Sequence, residues 1–253
     1  MMNGVQFDFA GKGVVVTGGA QGIGFEIARQ FLNAGASVSI WDYSEEGLKA
    51  AEQEFLKTAN FNARVFFSRV DVSKMQSCAE AAAQLPFSLD VLVNNAGITR
   101  DKSFIKMSED DWSAVIGTNL TGLFNVTQSL LGKFQVESRS KRIINMASIV
   151  AFHGNFGQTN YAAAKAGVIA MTKTWAREFG KRGFTVNAIA PGFIQTKMTE
   201  SMPREALEGM VAKVPVARMG QVSDIAQSSL FLASDAASYI NGAVVCVDGG
   251  LVI

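Results

Sequence analysis

The sequence predicts an α/β domain with a mainly parallel sheet and helices on both of its faces. Three observations predict it. Short runs rich in Val, Ile and Ala alternate with longer amphipathic stretches along nearly the whole chain. Parallel strands need crossover connections of about the length those stretches supply, wound right-handed. The runs are almost continuously apolar, as expected of strands covered on both faces. A length of 253 residues suits one such domain spanning 1–253.

The elements follow in order. The run at 13–17 (GVVVT) predicts the first strand, and the stretch at 23–34 the first helix. A strand at 37–41 (SVSIW) leads to a helix at 45–57. Strands three and four are expected at 64–70 (RVFFSRV) and 89–94 (LDVLVN), followed by one long helix at 110–135. The fifth strand at 142–146 (RIINM) precedes a helix at 161–180, and strands six and seven fall at 185–190 (TVNAIA) and 243–247 (AVVCV). Pro203, Pro215 and many polar residues interrupt the alternation over 196–221. So long a segment inside a compact domain is a candidate substrate lid, taken with its flank as about 194–221.

Composition excludes several classes. With 48% apolar and 18% charged residues the chain has material for a large core. A net charge of +1 argues against a nucleic-acid partner. No run approaches the ~20 apolar residues of a membrane span. Residues 1–11 lack the basic and apolar regions of a signal peptide, so a cytoplasmic location is expected. Cys78 and Cys246 are isolated, there is one histidine, and CxxC and HExxH are absent, so no metal is expected.

After the first strand comes Thr17-Gly18-Gly19-Ala20-Gln21-Gly22-Ile23-Gly24. Glycines there let the backbone approach a pyrophosphate, and the helix start offers free N–H groups and the positive dipole end. The spacing is GxxxGxG, not the GxGxxG dinucleotide fingerprint. Asp42 ends the second strand 18 residues beyond Gly24, where an acidic residue would meet the adenosine ribose. A carboxylate would bind both ribose hydroxyls and repel a 2′-phosphate, and neither 18–24 nor 42–46 holds an Arg or Lys to compensate. NADH is therefore expected over NADPH. The competing role of Asp42 is to cap the next helix. Asp71-Val72 and Asn94-Asn95-Ala96-Gly97 follow strands three and four, where open α/β sheets bind ligands. Turn chemistry accounts equally well for them.

Tyr161 and Lys165 are four apart in a helical stretch and share a face, with Ser148 just past the fifth strand. Reducing a ketone by hydride needs a proton donor for the oxygen. A tyrosine titrates near ~10, and a nearby lysine ammonium and an oxidised nicotinamide would lower that value. A serine hydroxyl can bond the carbonyl oxygen as it gains charge. An isolated YxxxK would instead be an ordinary helix face.

Taken together and in this order, Thr17–Gly24, Asp71, Asn94–Gly97, Asn119, Ser148, Tyr161, Lys165 and Pro191-Gly192 resemble the short-chain dehydrogenase/reductase family over nearly the whole chain. The resemblance implies a Rossmann-type, doubly wound, mainly parallel seven-stranded sheet with helices on both faces, and a Ser–Tyr–Lys unit with an Asn. By that analogy Asn119 holds a water in a proton relay ending at Lys165. Lys165 and Tyr161 also meet the cofactor, Asp71 and Val72 the adenine end, and Asn95, Ala96 and Gly97 the cleft. Pro191, Gly192, Ile194 and Thr196 would flank the nicotinamide. A homotetramer is implied, with 110–135, 161–180 and the end of the chain as interfaces.

Within the family, 94–101 (NNAGITRD), 119–128 (NLTGLFNVTQ), 157–167 (GQTNYAAAKAG), 190–200 (APGFIQTKMTE) and 237–250 (ASYINGAVVCVDGG) resemble 3-oxoacyl-acyl-carrier-protein reductases. A 3-oxoacyl thioester on carrier protein or coenzyme A is the implied substrate. Arg139 and Arg182 resemble contacts for an acidic carrier protein, and ordinary surface arginines would look the same. His153 and Phe156 would shape the pocket. Many members of that group resemble NADPH users, so Asp42 is a departure. Two alternatives stand beside this reading: a polyol, sugar or other secondary-alcohol dehydrogenase, and a non-catalytic NAD-binding interaction protein.

Overall fold

A computed structural model describes residues 6–58, 61–135, 140–196 and 204–251. Seven strands form one sheet: β1 (Gly13–Thr17), β2 (Ser37–Asp42), β3 (Val65–Arg69), β4 (Val91–Asn94), β5 (Lys141–Met146), β6 (Phe184–Pro191) and β7 (Val244–Val247). Their order is β3-β2-β1-β4-β5-β6-β7, and every pairing is parallel. The expected doubly wound fold is present.

Period-two alternation along β1 sends Val14 and Val16 to one core and Val15 to the other. The first core packs the sheet against α1 (Gly22–Asn33), α2 (Glu45–Leu56) and α9 (Val222–Ala233) through Ile27, Phe31, Leu48 and Leu230. The second packs it against α3 (Met75–Ala83), α5 (Gly122–Leu130) and α7 (Thr159–Phe179) through Cys78, Leu123, Val126 and Val168. Phe31 and Leu32 are fully buried, each worth about 2 kcal/mol in apolar area removed from water.

The helix expected at 110–135 is present as one helical run from Glu109 to Lys133, with a π turn inside it. α4 (Glu109–Ile116) starts at a reciprocal cap between Ser108 and Asp111, passes into a π turn (Gly117–Thr121) and re-forms as α5. Gly117, Thr118 and Gly122 are weak helix formers. Gly122 also packs so closely on Val72 that a Cβ would lie 2.8 Å from its Cγ2. π turns inside helices cluster at functional sites, and this one carries Asn119. β4 runs from Val91, and Asp90 before it already bonds both neighbouring strands, its N donating to Gly13 O at 2.8 Å and its O accepting from Arg142 N at 2.9 Å. The lid segment is not structureless: it holds α8 (Arg204–Val211), and α6 (Val150–His153) is a further short turn before α7. Residues 197–203 of the lid and the chain end at 252–253 lie outside the described residues. Among the described residues no helix is long and apolar enough to cross a membrane.

Candidate active site

The strand order reverses between β1 and β4, which opens a crevice at the carboxyl edge of the sheet. Thr17 ends β1, and its Oγ1 accepts from the backbone N–H groups of Asn95 and Ala96, both at 3.0 Å. Asn95 Nδ2 donates back to the carbonyls of Thr17 and Gly18, each at 3.0 Å. The two edges of the crevice are thus pinned together.

This pinning separates the roles of the glycines. At Gly24 a Cβ would collide with the Gly18 carbonyl and Asn95, and at Gly18 it would lie 2.8 Å from Ala96 Cα. Both are needed for the protein's own packing. Gly22 differs: its φ is +56°, and nothing lies within 4 Å of where a Cβ would point. α1 begins there with no side-chain cap and no acidic residue in its first turn. Its first N–H groups are left for an anion. Gln21 is exposed and Ile23 partly exposed at the same edge. These features fit a pyrophosphate.

Asp42 Oδ2 accepts from Ala20 N at 3.1 Å, and Oδ1 from Ser44 N at 3.0 Å. The carboxylate therefore ties the glycine turn to β2 and shapes the entry to α2. It does so half-buried at the crevice edge, and each oxygen keeps a lone pair. Sequence reasoning missed Arg69, which the register places beside Asp42. Its guanidinium lies 5.9 Å from the Tyr43 ring centroid and 3.6 Å from Glu45 Oε2. Scanning only local segments for a basic residue could not find a neighbour on another strand. Asp71 Oδ1 accepts from Ser73 N at 3.0 Å and Ser73 Oγ at 2.6 Å, a local turn.

Val72, Thr17, Ala96, Asn119 and Lys165 converge around a small cavity of about 10 Å³. Past β6, a Cβ at Gly192 would lie 2.7 Å from Asp248 Cα, so Pro191-Gly192 must run tightly against the end of β7. Ile194 is buried and bridges Gly220, and Thr196 is the last described residue before the gap. At the far end of the segment expected as a lid, Arg218 Nη1 sits 2.7 Å from Asp224 Oδ2.

The candidate catalytic groups come from the end of β5 and from α7. β5 is buried throughout and delivers Ser148, 8% exposed, to the crevice. Ser148 Oγ accepts from Val150 N at 3.2 Å and is hydrogen-bonded to Tyr161. Lys165 is buried, its Nζ donates to the Met146 carbonyl at 2.6 Å, and burial lowers its pKa to about 8. Burial pushes the Tyr161 hydroxyl above its ordinary value, the Ser148 hydrogen bond opposes this, and the Asp101 carboxylate adds to it. In the chain alone the net direction is upward, with no lowering by Lys165 among its causes. The amine spends its contact on Met146 and lies 5.6 Å from the Tyr161 ring centroid.

The Asn119 side chain is anchored to the loop after β4. Its Oδ1 accepts from Ile98 N at 2.8 Å, and its Nδ2 donates to Ile98 O at 2.9 Å. Both ends of the amide are committed to the loop after β4. Asn119 Oδ1 and Lys165 Nζ nonetheless both approach Gly97, at 3.4 and 3.6 Å from where its Cβ would stand. Phe152 (47% exposed), Phe156 (89%) and His153 are exposed just before α7, with the Phe152 and His153 ring centroids 6.4 Å apart. Arg182 is exposed and its guanidinium lies 5.9 and 5.8 Å from the rings of Phe179 and Phe184. Arg139 lies outside the described residues.

A family model described as enoyl-(acyl carrier protein) reductase matches residues 18–252. A 3-oxoacyl-[acyl-carrier-protein] reductase of Thermotoga maritima is 45% identical over 96% of this chain and 98% of its own. Its namesake in Chlamydia pneumoniae is 45% identical over 95% and 97%, and that of Staphylococcus aureus 43% over 95% and 98%. A crystal structure from Brucella melitensis, titled short-chain dehydrogenase/reductase SDR:glucose/ribitol dehydrogenase, superposes with a TM-score of 0.90 at 30% identity, covering 98% of this chain and 100% of that one. With the crevice, the Ser148–Tyr161–Lys165 cluster and these likenesses in agreement, the chain belongs to the short-chain dehydrogenase/reductase family of oxidoreductases, which bind a nicotinamide cofactor.

Proposed function

We propose that the protein uses NADH to reduce the 3-oxo group of an acyl thioester, on acyl carrier protein or coenzyme A, to a 3-hydroxy group. The observation that carries the reading is Ser148, Tyr161 and buried Lys165 gathered beside a helix end left open for an anion. The three reductase relatives support the substrate class.

Gly18, Gln21, Gly22, Ile23 and Gly24 would hold the pyrophosphate, Asp42 the adenosine ribose, and Asp71 and Val72 the adenine. Asn95, Ala96 and Gly97 would line the cleft. Tyr161 and Lys165 would meet the nicotinamide ribose, and Pro191, Gly192, Ile194 and Thr196 the ring. When bound, that group supplies the hydride that reaches the carbonyl carbon. The chain supplies the proton. Tyr161 Oη gives its hydrogen to the carbonyl oxygen while the Ser148 hydroxyl bonds the same oxygen. Tyr161 is protonated at neutral pH, as a donor must be, while its hydrogen bond to Ser148 opposes the upward push of burial. Asp42 favours NADH by accepting from free ribose hydroxyls and repelling a 2′-phosphate.

The exposed rings of Phe152 and Phe156 favour an acyl chain over a sugar. The Brucella title keeps a polyol or sugar dehydrogenase as the second reading. Arg182, with Arg139, would receive the carrier protein. A cytoplasmic homotetramer completes the reading, with exposed Phe124 on α5 among the faces it would cover. The direct test is NADH oxidation with acetoacetyl-CoA, with NADPH and a polyol panel in parallel. Turnover with NADH alone supports the reading, and turnover only of polyols replaces it.

A further inference from the structure

Asn160 immediately precedes Tyr161 and is fully buried. A buried amide with this much hydrogen-bonding capacity must find partners, and the partners it finds are informative. Nδ2 donates to the Arg100 carbonyl at 3.2 Å and to the Asp111 carbonyl at 3.0 Å. Oδ1 accepts from the backbone N–H of Tyr161 at 2.8 Å. One side chain therefore joins the loop after β4, the first turns of α4 and the start of α7.

The same seam is closed at two neighbouring points. Lys102 N donates to the Gly157 carbonyl at 2.9 Å, and Gln158 Nε2 donates to Asp101 Oδ2 at 2.9 Å. Asn155 Nδ2 in turn fixes Gln158 Oε1 at 3.0 Å. At its other end the loop is held by the Asn119–Ile98 pair already described. The loop thus runs from the cofactor crevice at Asn95–Gly97 to the turn that carries Tyr161, and is fastened at both ends.

We propose that Asn160 is a positioning residue for catalysis: it acts through Tyr161, setting the hydroxyl against Ser148 and the substrate carbonyl by locking the α7 start to the β4–α4 loop. This rests on the reading of Tyr161 as proton donor. Misplacing a reacting group by an ångström costs on the order of 100-fold in rate, so loss of the Asn160 clasp is expected to lower kcat by about 10- to 100-fold. The dissociation constant for NADH is expected to change much less than kcat, since Tyr161 would be only one of many contacts along the cofactor.

A double-mutant cycle tests it. Asn160→Ala, Tyr161→Phe and the double variant are compared by kcat, KM and NADH binding, with slow turnovers followed over hours. If Asn160 acts through Tyr161, its loss has little further effect once the hydroxyl is gone. If the losses multiply, Asn160 serves the fold alone and the inference is overturned. Should Asn160→Ala not fold, Gln158→Ala opens the same seam from its partly exposed side, with a smaller drop in kcat and the same expected disappearance in the Tyr161→Phe background. A Tyr161→Phe enzyme of full activity would overturn the proton-donor reading itself, an outcome distinct from multiplying losses.

Discussion

Lys165 Nζ donates to the Met146 carbonyl at 2.6 Å, so the last residue of β5 holds the amine that α7 delivers. The hydrogen bond orients the group, and burial penalises its charge. The resulting pKa of about 8, down from 10.5, is a statement about folding as well as chemistry.

The sign follows from proton counts. Below pH 8 the lysine is protonated in both folded and unfolded chains, and the folded state bears the full cost of burying the charge. Between 8 and 10.5 only the unfolded chain keeps the proton, so stability rises with pH. A Lys165→Met variant lacks this slope. The stability gap between variant and parent is expected to move in the parent's favour by up to about 3 kcal/mol across that window, at ~1.4 kcal/mol per pKa unit. Urea titrations at pH 7 and pH 10 measure it, and parallel pH dependence in the two proteins would refute it. Activity of the variant should fall at every pH.

Tyr161 makes a second prediction about pH. Its hydroxyl is pushed up by burial and by Asp101, so reduction should hold its rate well past neutral pH, where a donor with a lowered pKa would already be failing. Asp101→Asn removes one upward push, and the alkaline limb of kcat/KM should move to lower pH. A limb that stays in place, or moves up, contradicts the assigned influence of Asp101. Tyr161→Phe should cost about 100- to 10,000-fold in kcat.

Much of this site was legible in the sequence because its parts are local. The YxxxK pair needs only a helix, and the glycine turn needs only a strand followed by a helix. What escaped was set by partners distant in sequence. Arg69 meets Asp42 through strand register, and Thr17 meets Asn95 and Ala96 across 78 and 79 residues. The burial of Lys165 and Tyr161, which lowers the one pKa and raises the other, depends on packing that no local pattern measures. Apolar periodicity marks the helical run at 110–135 but not the π turn inside it at Gly117–Thr121, beside which Gly122 packs on Val72, again a distant contact.

Asp42 has two duties, and substitution should separate them. Its oxygens accept from Ala20 N and Ser44 N, so Asp42→Ala leaves two backbone donors without this partner and is expected to destabilise by roughly 1–3 kcal/mol. Asp42→Asn retains an acceptor and removes the charge. With one acceptor for two backbone donors, it should lose part of the stability that Asp42→Ala loses, while raising the NADPH-to-NADH ratio of kcat/KM. An unchanged ratio in Asp42→Asn would remove Asp42 from the account of cofactor choice.

Arg182 offers its exposed guanidinium over Phe179 and Phe184. Arg182→Glu should raise KM for a carrier-protein substrate several-fold, more so at low salt, because exposed charges are screened beyond ~10 Å at 0.1 M. The KM for acetoacetyl-CoA should change much less. Equal rises for both substrates would argue that the rings, not the carrier protein, need the arginine.

Gly22 and Gly24 look alike in the sequence and should behave differently. Gly24→Ala places a methyl group against the Gly18 carbonyl and Asn95 Nδ2, both fixed parts of the crevice, so the protein itself must shift. A clear loss of melting temperature is expected, with cofactor binding lost as a consequence. Gly22→Ala meets no atom within 4 Å, and its cost is the left-handed backbone at φ +56°, about 1 kcal/mol. Its methyl group would project into the space before the uncapped start of α1, where the pyrophosphate is expected. NADH binding should therefore weaken far more than stability does. Calorimetric NADH titrations beside thermal melts distinguish the cases. If Gly22→Ala binds NADH as the parent does, the open glycine does not face the cofactor and the pyrophosphate must be placed elsewhere along the turn.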